Sequence, residues 1–187
     1  MHPAEFSQLV AVVAAVRPRT MVEWGSGGST LAIPNTFESI ERYISVEHNE
    51  GWHQRVTAIV TDPRVTALHR PPHASDPEPE MFGPKGGKTR PEYVDWCARC
   101  ESDPALMKDY VEAPFSEVDD IDVAFVDGRA RVFCIARAWD ALRPGGVLVV
   151  HDAQRDICKD AVRKLDGVEP VWLEPWSRGQ ICVAARR

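Results

Sequence analysis

The ten residues MVEWGSGGST, 21–30, constrain this chain more than any other stretch. A short apolar run ends in a carboxylate and a tryptophan, then breaks into three glycines among small hydroxyls. A strand that stops on glycines brings its backbone close to whatever binds there, because glycine adopts turns that a Cβ forbids. The neighbouring segments extend the pattern. Residues 20–24 read as a short buried strand and 29–39 as a helix, with Pro34 tolerable only near its first turn. RYISVEH at 42–48 is a second strand, 50–61 its helix, and RVTALH at 64–69 a third strand. A helix over 4–16, stopped by Pro18, precedes them all. Such a βαβαβ rhythm implies a parallel sheet with helices on its faces.

The rhythm stops at Arg70. From there to Pro91 the chain is dense in Pro, Gly and charge, with no hydrophobic period. This reads as a loop inserted at about 70–92 into a single domain spanning 1–187, because the second half cannot form a sheet alone. Its composition predicts a mobile flap over 71–91, on the acceptor side of the ligand site. A helix is expected over 93–110. IDVAFV at 121–126 is nearly continuous apolar, as a central parallel strand should be. A helix at 130–142 ends at RPGG, VLVV makes a fifth strand, and a further helix covers 154–165. The tail differs. VEPVWLEPW at 168–176 and QICVAA at 180–185 are separated by only Ser-Arg-Gly, which implies an antiparallel hairpin.

Composition narrows the partners. The chain has 187 residues, 44% hydrophobic and 27% charged, as ordinary globular domains do. Its formal charge of −6 argues against nucleic acid as partner. No apolar run approaches a membrane span, and residues 1–20 lack a signal-peptide pattern, so the expected location is the cytoplasm with no membrane contact. Cys97 and Cys100 form a C-x-x-C, but no second pair or paired His completes a zinc set, and the two read as incidental helix thiols.

Strand, glycine turn, helix, and an acid closing the next strand form a nucleotide-site pattern. Glu47 lies about 20 residues past the glycines, where a carboxylate can accept ribose hydroxyls. NAD, FAD and other adenosine ligands share this arrangement. Three features separate them. Glu23 lies two residues before the turn, where it would repel a pyrophosphate and attract an ammonium or sulfonium. The closing hairpin departs from an all-parallel dinucleotide fold, and no residues remain for a substrate domain. All three favour S-adenosylmethionine.

VEWGSGGST, SVEHNEGW, DVAFVDGRARVFC and RPGGVLVVHD, in this order, resemble the class I S-adenosylmethionine-dependent methyltransferases over about 20–70 and 119–187. The resemblance implies an α/β fold, a doubly wound Rossmann-like seven-stranded sheet, mostly parallel, with an antiparallel final strand and the order 3-2-1-4-5-7-6. It also implies that Glu23 and the turn Gly25, Ser26, Gly27 face the methionine portion, Glu47 the ribose, and His48 the adenine. The chain departs from the family after the third strand, where His69 and Arg70 replace the usual acidic or amide contact to adenine.

Methyl transfer needs an oriented nucleophile and, for a hydroxyl, a proton acceptor. The candidates stand at the ends of strands four and five: Asp127, His151 and Asp152. His151 or Asp127 could act as base. Alternatively Asp127 and Asp152 could share a divalent metal, as in catechol-type methyltransferases, although His-Asp here replaces the Asp-Asn of those enzymes. Arg129 and Arg131 could grip an anionic group on the acceptor. The expected activity is methyl transfer to a small-molecule or sugar-like acceptor. The rivals are an NAD-binding oxidoreductase, a methyltransferase fold without catalysis that serves as a binding module, and a nucleic-acid methyltransferase. The last lacks its usual Asn/Asp-Pro-Pro-Tyr, having Asp127-Gly128-Arg129-Ala130 instead.

Overall fold

A computed structural model of the chain describes residues 1–82, 88–176 and 179–187. Seven strands form one sheet: β1 (Thr20–Trp24), β2 (Arg42–Glu47), β3 (Val65–His69), β4 (Ile121–Val126), β5 (Leu142–Val150), β6 (Val171–Trp172) and β7 (Cys182–Ala185). Their order is β3-β2-β1-β4-β5-β7-β6, with β7 antiparallel to both β5 and β6. This is the doubly wound, Rossmann-like sheet expected from the sequence.

The core has two layers because side chains alternate across each strand. Val22, Trp24, Ala124 and Val126 face one, while Met21, Val123 and Phe125 face the other. On the second side lie α1 (Pro3–Val16), through Leu9 and Val13, and α2 (Gly28–Thr36), through Ile33. On the first lie α4 (Pro91–Cys100), α5 (Lys108–Glu112), α6 (Arg131–Ala141) and α7 (Asp156–Arg163), while α3 (Glu50–Thr57) packs beside β3. Among the described residues no helix is long and apolar enough to cross a membrane.

Register between the first and fourth strands is fixed at their starts. Asp122 Oδ2 accepts the backbone amides of Arg19 at 2.6 Å and Thr20 at 2.7 Å, and Oδ1 pairs with Arg143. Burial pushes the Asp122 carboxyl up, but these bonds outweigh it and leave its pKa below the usual range.

Four expected elements come out differently. Pro34 sits in the last turn of α2 rather than its first, and the helix ends two residues later, at Thr36. Arg64 makes that early end tolerable by donating to the carbonyls of Pro34 (2.5 Å), Ile40 (2.9 Å) and Phe37 (3.2 Å) while paired with Asp62. The helix expected over 93–110 is two helices, broken at Asp103-Pro104 where proline cannot continue the ladder. β5 starts earlier than VLVV, and the pairing of Ile121 with Leu142 slips before Val123 meets Val147. The tail hairpin is present, but its first strand is only Val171–Trp172. The expected turn residues Ser177 and Arg178 lie outside the described residues, as do 83–87 of the expected flap.

Before α4 begins at Pro91, the described residues of the insertion carry no helix or strand, only a bridge between Phe82 and Thr89. It is nevertheless tied to the body. Asp76 forms a two-pronged ion pair with Arg99, and His73 N donates to Leu106 O at 2.8 Å.

Arg64→Ala removes a charged donor from three carbonyls at once and should cost about 2–4 kcal/mol. Arg19→Ala, whose pair with Glu41 is in solvent, should cost much less. Urea midpoints with unchanged slopes would check both, and equal losses would contradict the capping role of Arg64.

Candidate active site

β1, β2 and β4 run parallel, so their carboxyl ends share one edge of the sheet. A cleft of about 1030 Å³ opens there, lined by the glycine turn, Glu47, His48, Asp127–Arg129 and part of the insertion.

The glycine turn is held by its neighbours. Gly25 has φ +99°, and a Cβ on it would lie 2.8 Å from Gly128 Cα. A Cβ on Gly128 would collide with the Tyr110 hydroxyl and lie 3.0 Å from Gly25 N. The turns leaving β1 and β4 therefore touch back to back. Gly27 and Gly28 have open space where a Cβ would be, and both line the cleft. The amino end of α2 follows at once, so its partial positive charge faces the same space.

Glu23 does not reach the cleft. Its carboxyl is fully buried beneath the start of α2, where it accepts the hydroxyls of Ser29, Thr30 (2.5 Å) and Ser45 (2.9 Å). The expectation that it faces a ligand is not met, because Ser29, Thr30 and Ser45 enclose the carboxyl below the helix start, two residues short of the glycine turn. Burial pushes its pKa up to about 7, against the lowering effect of the hydroxyl bonds.

Glu47 is oriented by its own loop. Its Oε1 accepts the amides of His48 and Asn49, both at 2.8 Å, and lies 2.9 Å from His48 Nδ1. That leaves Oε2 without a protein partner among the described residues, on a side chain that lines the cleft. His48 lines the cleft too, stacked on Trp96 and edge-on to Tyr110, with Nε2 3.3 Å from Glu78 of the insertion. Burial lowers the His48 pKa, but Glu47 and Glu78 outweigh it and the net shift is upward.

Asp127, His151, Asp152 and Arg131 do converge, together with Glu5 of α1. His151 Nδ1 lies 2.7 Å from Asp127 Oδ1, and Nε2 lies 3.1 Å from Glu5 Oε2. Both ring nitrogens thus face carboxylates, and the lone pair that a direct base needs is committed. Burial lowers the His151 pKa, yet Asp127, Glu5 and Asp152 raise it further, so the ring stays protonated to higher pH than a free imidazole. Arg131 is buried, with Nη2 3.3 Å from both Asp127 Oδ1 and Asp152 Oδ2. It does not line the cleft, contrary to the expectation of an acceptor grip, because as the first residue of α6 it folds back onto the end of β4. Arg129 does line the cleft, donating to the Tyr93 hydroxyl.

The residues do not suit a divalent metal. The oxygens that Asp127 and Asp152 turn toward each other already share Arg131, and a cation placed there would meet a guanidinium and an imidazolium. Among the described residues no group of three or more His, Cys, Asp or Glu is disposed to hold a metal ion. Cys97 and Cys100 are free thiols on α4, and burial pushes Cys100 up to about 12.

Four cleft-side contributors escaped the sequence reading. Glu5 carried no signal beyond its place as an acid in a first helical turn, and Glu78 and Tyr93 lie in or just after the insertion. Trp52 is half-exposed in the cleft and donates its indole N–H to Ser26 O at 2.6 Å.

No family model matches the chain, and no curated protein matches it by sequence. Solved structures match throughout. An O-methyltransferase from Bacillus cereus in complex with S-adenosylhomocysteine superposes with a TM-score of 0.69 at 15% identity, covering 100% of this chain and 82% of that one. The O-methyltransferase TomG from Streptomyces achromogenes, in complex with S-adenosylmethionine, gives 0.61 at 12% identity over the same shares, 100% and 82%. A methyltransferase-like protein from Silicibacter pomeroyi gives 0.52 at 19%, covering 100% and 88%. At these identities the likeness establishes the fold, which is that of the class I methyltransferases.

Glu23 generates a pH prediction. Its carboxyl ordinarily titrates near 4.5 and in the fold near 7. The folded state therefore holds the extra proton between these values, and the stability it contributes is lost as pH rises through about 7. The total is roughly 3 kcal/mol. Glu23→Gln, always neutral, should gain on the wild type in urea midpoint between pH 5 and pH 7.5. A difference independent of pH would remove the buried, protonated carboxyl from the account.

Proposed function

We propose that this chain is an S-adenosylmethionine-dependent methyltransferase acting on a small-molecule or sugar-like acceptor. The observation that carries the reading is the cleft itself. An open glycine turn at a helix start faces Glu47, whose Oε2 has no protein partner among the described residues. A nucleoside with adjacent ribose hydroxyls suits that carboxylate, and the glycines admit a ligand backbone at close approach. The half-exposed face of Trp52 and the ring of His48 offer flat surfaces to a purine. The fold shared with two O-methyltransferases that hold the cofactor or its product supports the same assignment.

When bound, the cofactor supplies a methyl carbon already activated by a sulfonium. The chain's own residues then have to hold an acceptor in line and take its proton. Asp127 is the group placed for this. It lines the cleft, and its Oδ1 is fixed by His151 and Arg131, leaving Oδ2 to the cleft side. His151 acts through Asp127 as a positioning residue. Arg129, supported by Tyr93, orients a polar or anionic group of the acceptor. Glu23 serves the site indirectly, by tying α2 and its glycine turn to β1 and β2.

The volume, at about 1030 Å³, is at the upper end for a single ligand and leaves room for a cofactor and a small acceptor together. Among the described residues Glu47, Glu78, Glu80 and Asp127 line it against a single arginine, Arg129, a balance that repels a nucleic-acid backbone.

Calorimetry with S-adenosylmethionine, S-adenosylhomocysteine and NAD tests the cofactor. The first two should bind and NAD should not. Glu47→Ala should weaken S-adenosylhomocysteine by about 2–4 kcal/mol through the loss of two charge-assisted bonds. An unchanged affinity in that variant, or binding of NAD alone, would sink the assignment. An acceptor screen should then find turnover that Asp127→Asn lowers by roughly 10²-fold or more without altering cofactor affinity.

A further inference from the structure

One nitrogen of Arg131 bridges the carboxylates at the ends of two neighbouring strands. Nη2 lies 3.3 Å from Asp127 Oδ1 and 3.3 Å from Asp152 Oδ2. The arginine is almost wholly buried, so its charge cannot swing out to solvent. On the far side of the same pair, His151 Nδ1 is 2.7 Å from Asp127 Oδ1 and 3.7 Å from Asp152 Oδ1. Glu5 backs the ring at 3.1 Å, and no other charged side chain among the described residues is bonded to this cluster. Three carboxylates therefore meet two organic cations in a space where two converging aspartates would otherwise attract a metal ion.

We propose that Arg131 is the built-in cation of this site, taking the position between Asp127 and Asp152 that a divalent ion would need and leaving the acceptor centre independent of metal. The consequence is specific to this chain. A guanidinium is a permanent charge with directed donors, so it fixes Asp127 by Oδ1 at all working pH values and cannot be removed by chelation. It also cannot bind the acceptor directly, as an ion with open coordination positions would. The proton of the acceptor must then go to a protein oxygen, and Asp127, which lines the cleft and is held by Oδ1 alone, is the carboxylate of this cluster that lies there. The inference builds on the methyltransferase reading for the meaning of the cleft. Its own content is the identity of the cation.

Metal binding and cofactor binding can be measured separately on the full chain. Mn2+ alone is titrated into the wild type, Arg131→Ala and the double variant Arg131→Ala/Asp127→Asn, following the spectrum of the free ion and the melting temperature. The wild type should show no saturable Mn2+ site and no change in Tm. Arg131→Ala should acquire one site, with a Tm that climbs with ion concentration by mass action, and the double variant should lose it again. Should Arg131→Ala fail to fold, Arg131→Gln, which keeps much of the length without the charge, carries the same measurement. A saturable Mn2+ site in the wild type, abolished by Asp127→Asn, would overturn the proposal. So would a folded Arg131→Ala that gains no site. Titration of S-adenosylhomocysteine into the same wild-type sample separates the two levels. If it fails to bind, the functional reading falls whatever the metal result. If it binds with equal affinity in the presence of a chelator or of Mg2+, the metal-free assignment gains support.

Discussion

Two strand-end turns touch back to back at the mouth of the sheet, and neither tolerates a side chain. Gly25 and Gly128 approach so closely that a Cβ on the first would sit 2.8 Å from the backbone of the second. Everything at the site is arranged around this contact. It brings the glycine turn after β1 beside Asp127 after β4, so that a ligand on one is within reach of the other. Tyr110 closes the remaining space at Gly128, which couples the cleft floor to the core through α5.

Behind that contact the chain has placed its ionisable groups in two different ways. Glu23 is alone with hydroxyl groups, and burial therefore favours its neutral form. The cluster of Asp127, Asp152, Glu5, His151 and Arg131 instead sets three carboxylates against two cations, and this pairing offsets the cost of burying their charge. The first device joins β1, β2 and α2 beneath the cofactor cleft. The second joins β4, β5, α1 and α6 at the strand ends beside Asp127. Between them they hold two sides of the cleft without relying on exposed ion pairs.

The insertion contributes a third element. Glu78 reaches His48 and Asn49, so the wall of the cleft contacts the residues that orient Glu47. A chain segment with no period of its own is thus held by polar contacts to neighbouring ordered elements, through Asp76 to α4 and through Glu78 to the end of β2. In the sequence this stretch is legible only as rich in Pro and Gly, because such contacts depend on which side chains meet and leave no periodic trace.

The order of apolar runs and glycine breaks in the sequence determined the sheet. Residues 20–24 and 121–126 form strands where their apolar character placed them, and the short link in the tail forced the final hairpin, since buried strands and tight turns are written locally. The acid at the end of the second strand could also be read in this way, because its distance from the glycines is a property of the βαβ unit. Which way a side chain points was left to the tertiary structure. Glu23 is closed over by Ser29 and Thr30 of α2 and Ser45 of β2, so an expected ligand contact is a buried strut. The sequence leaves His151 and Arg131 free to act, but in the fold Glu5, 146 residues away from His151 in sequence, and Asp152 claim them. Long-range charge pairing is set by which strand ends lie side by side, and only the folded sheet decides that.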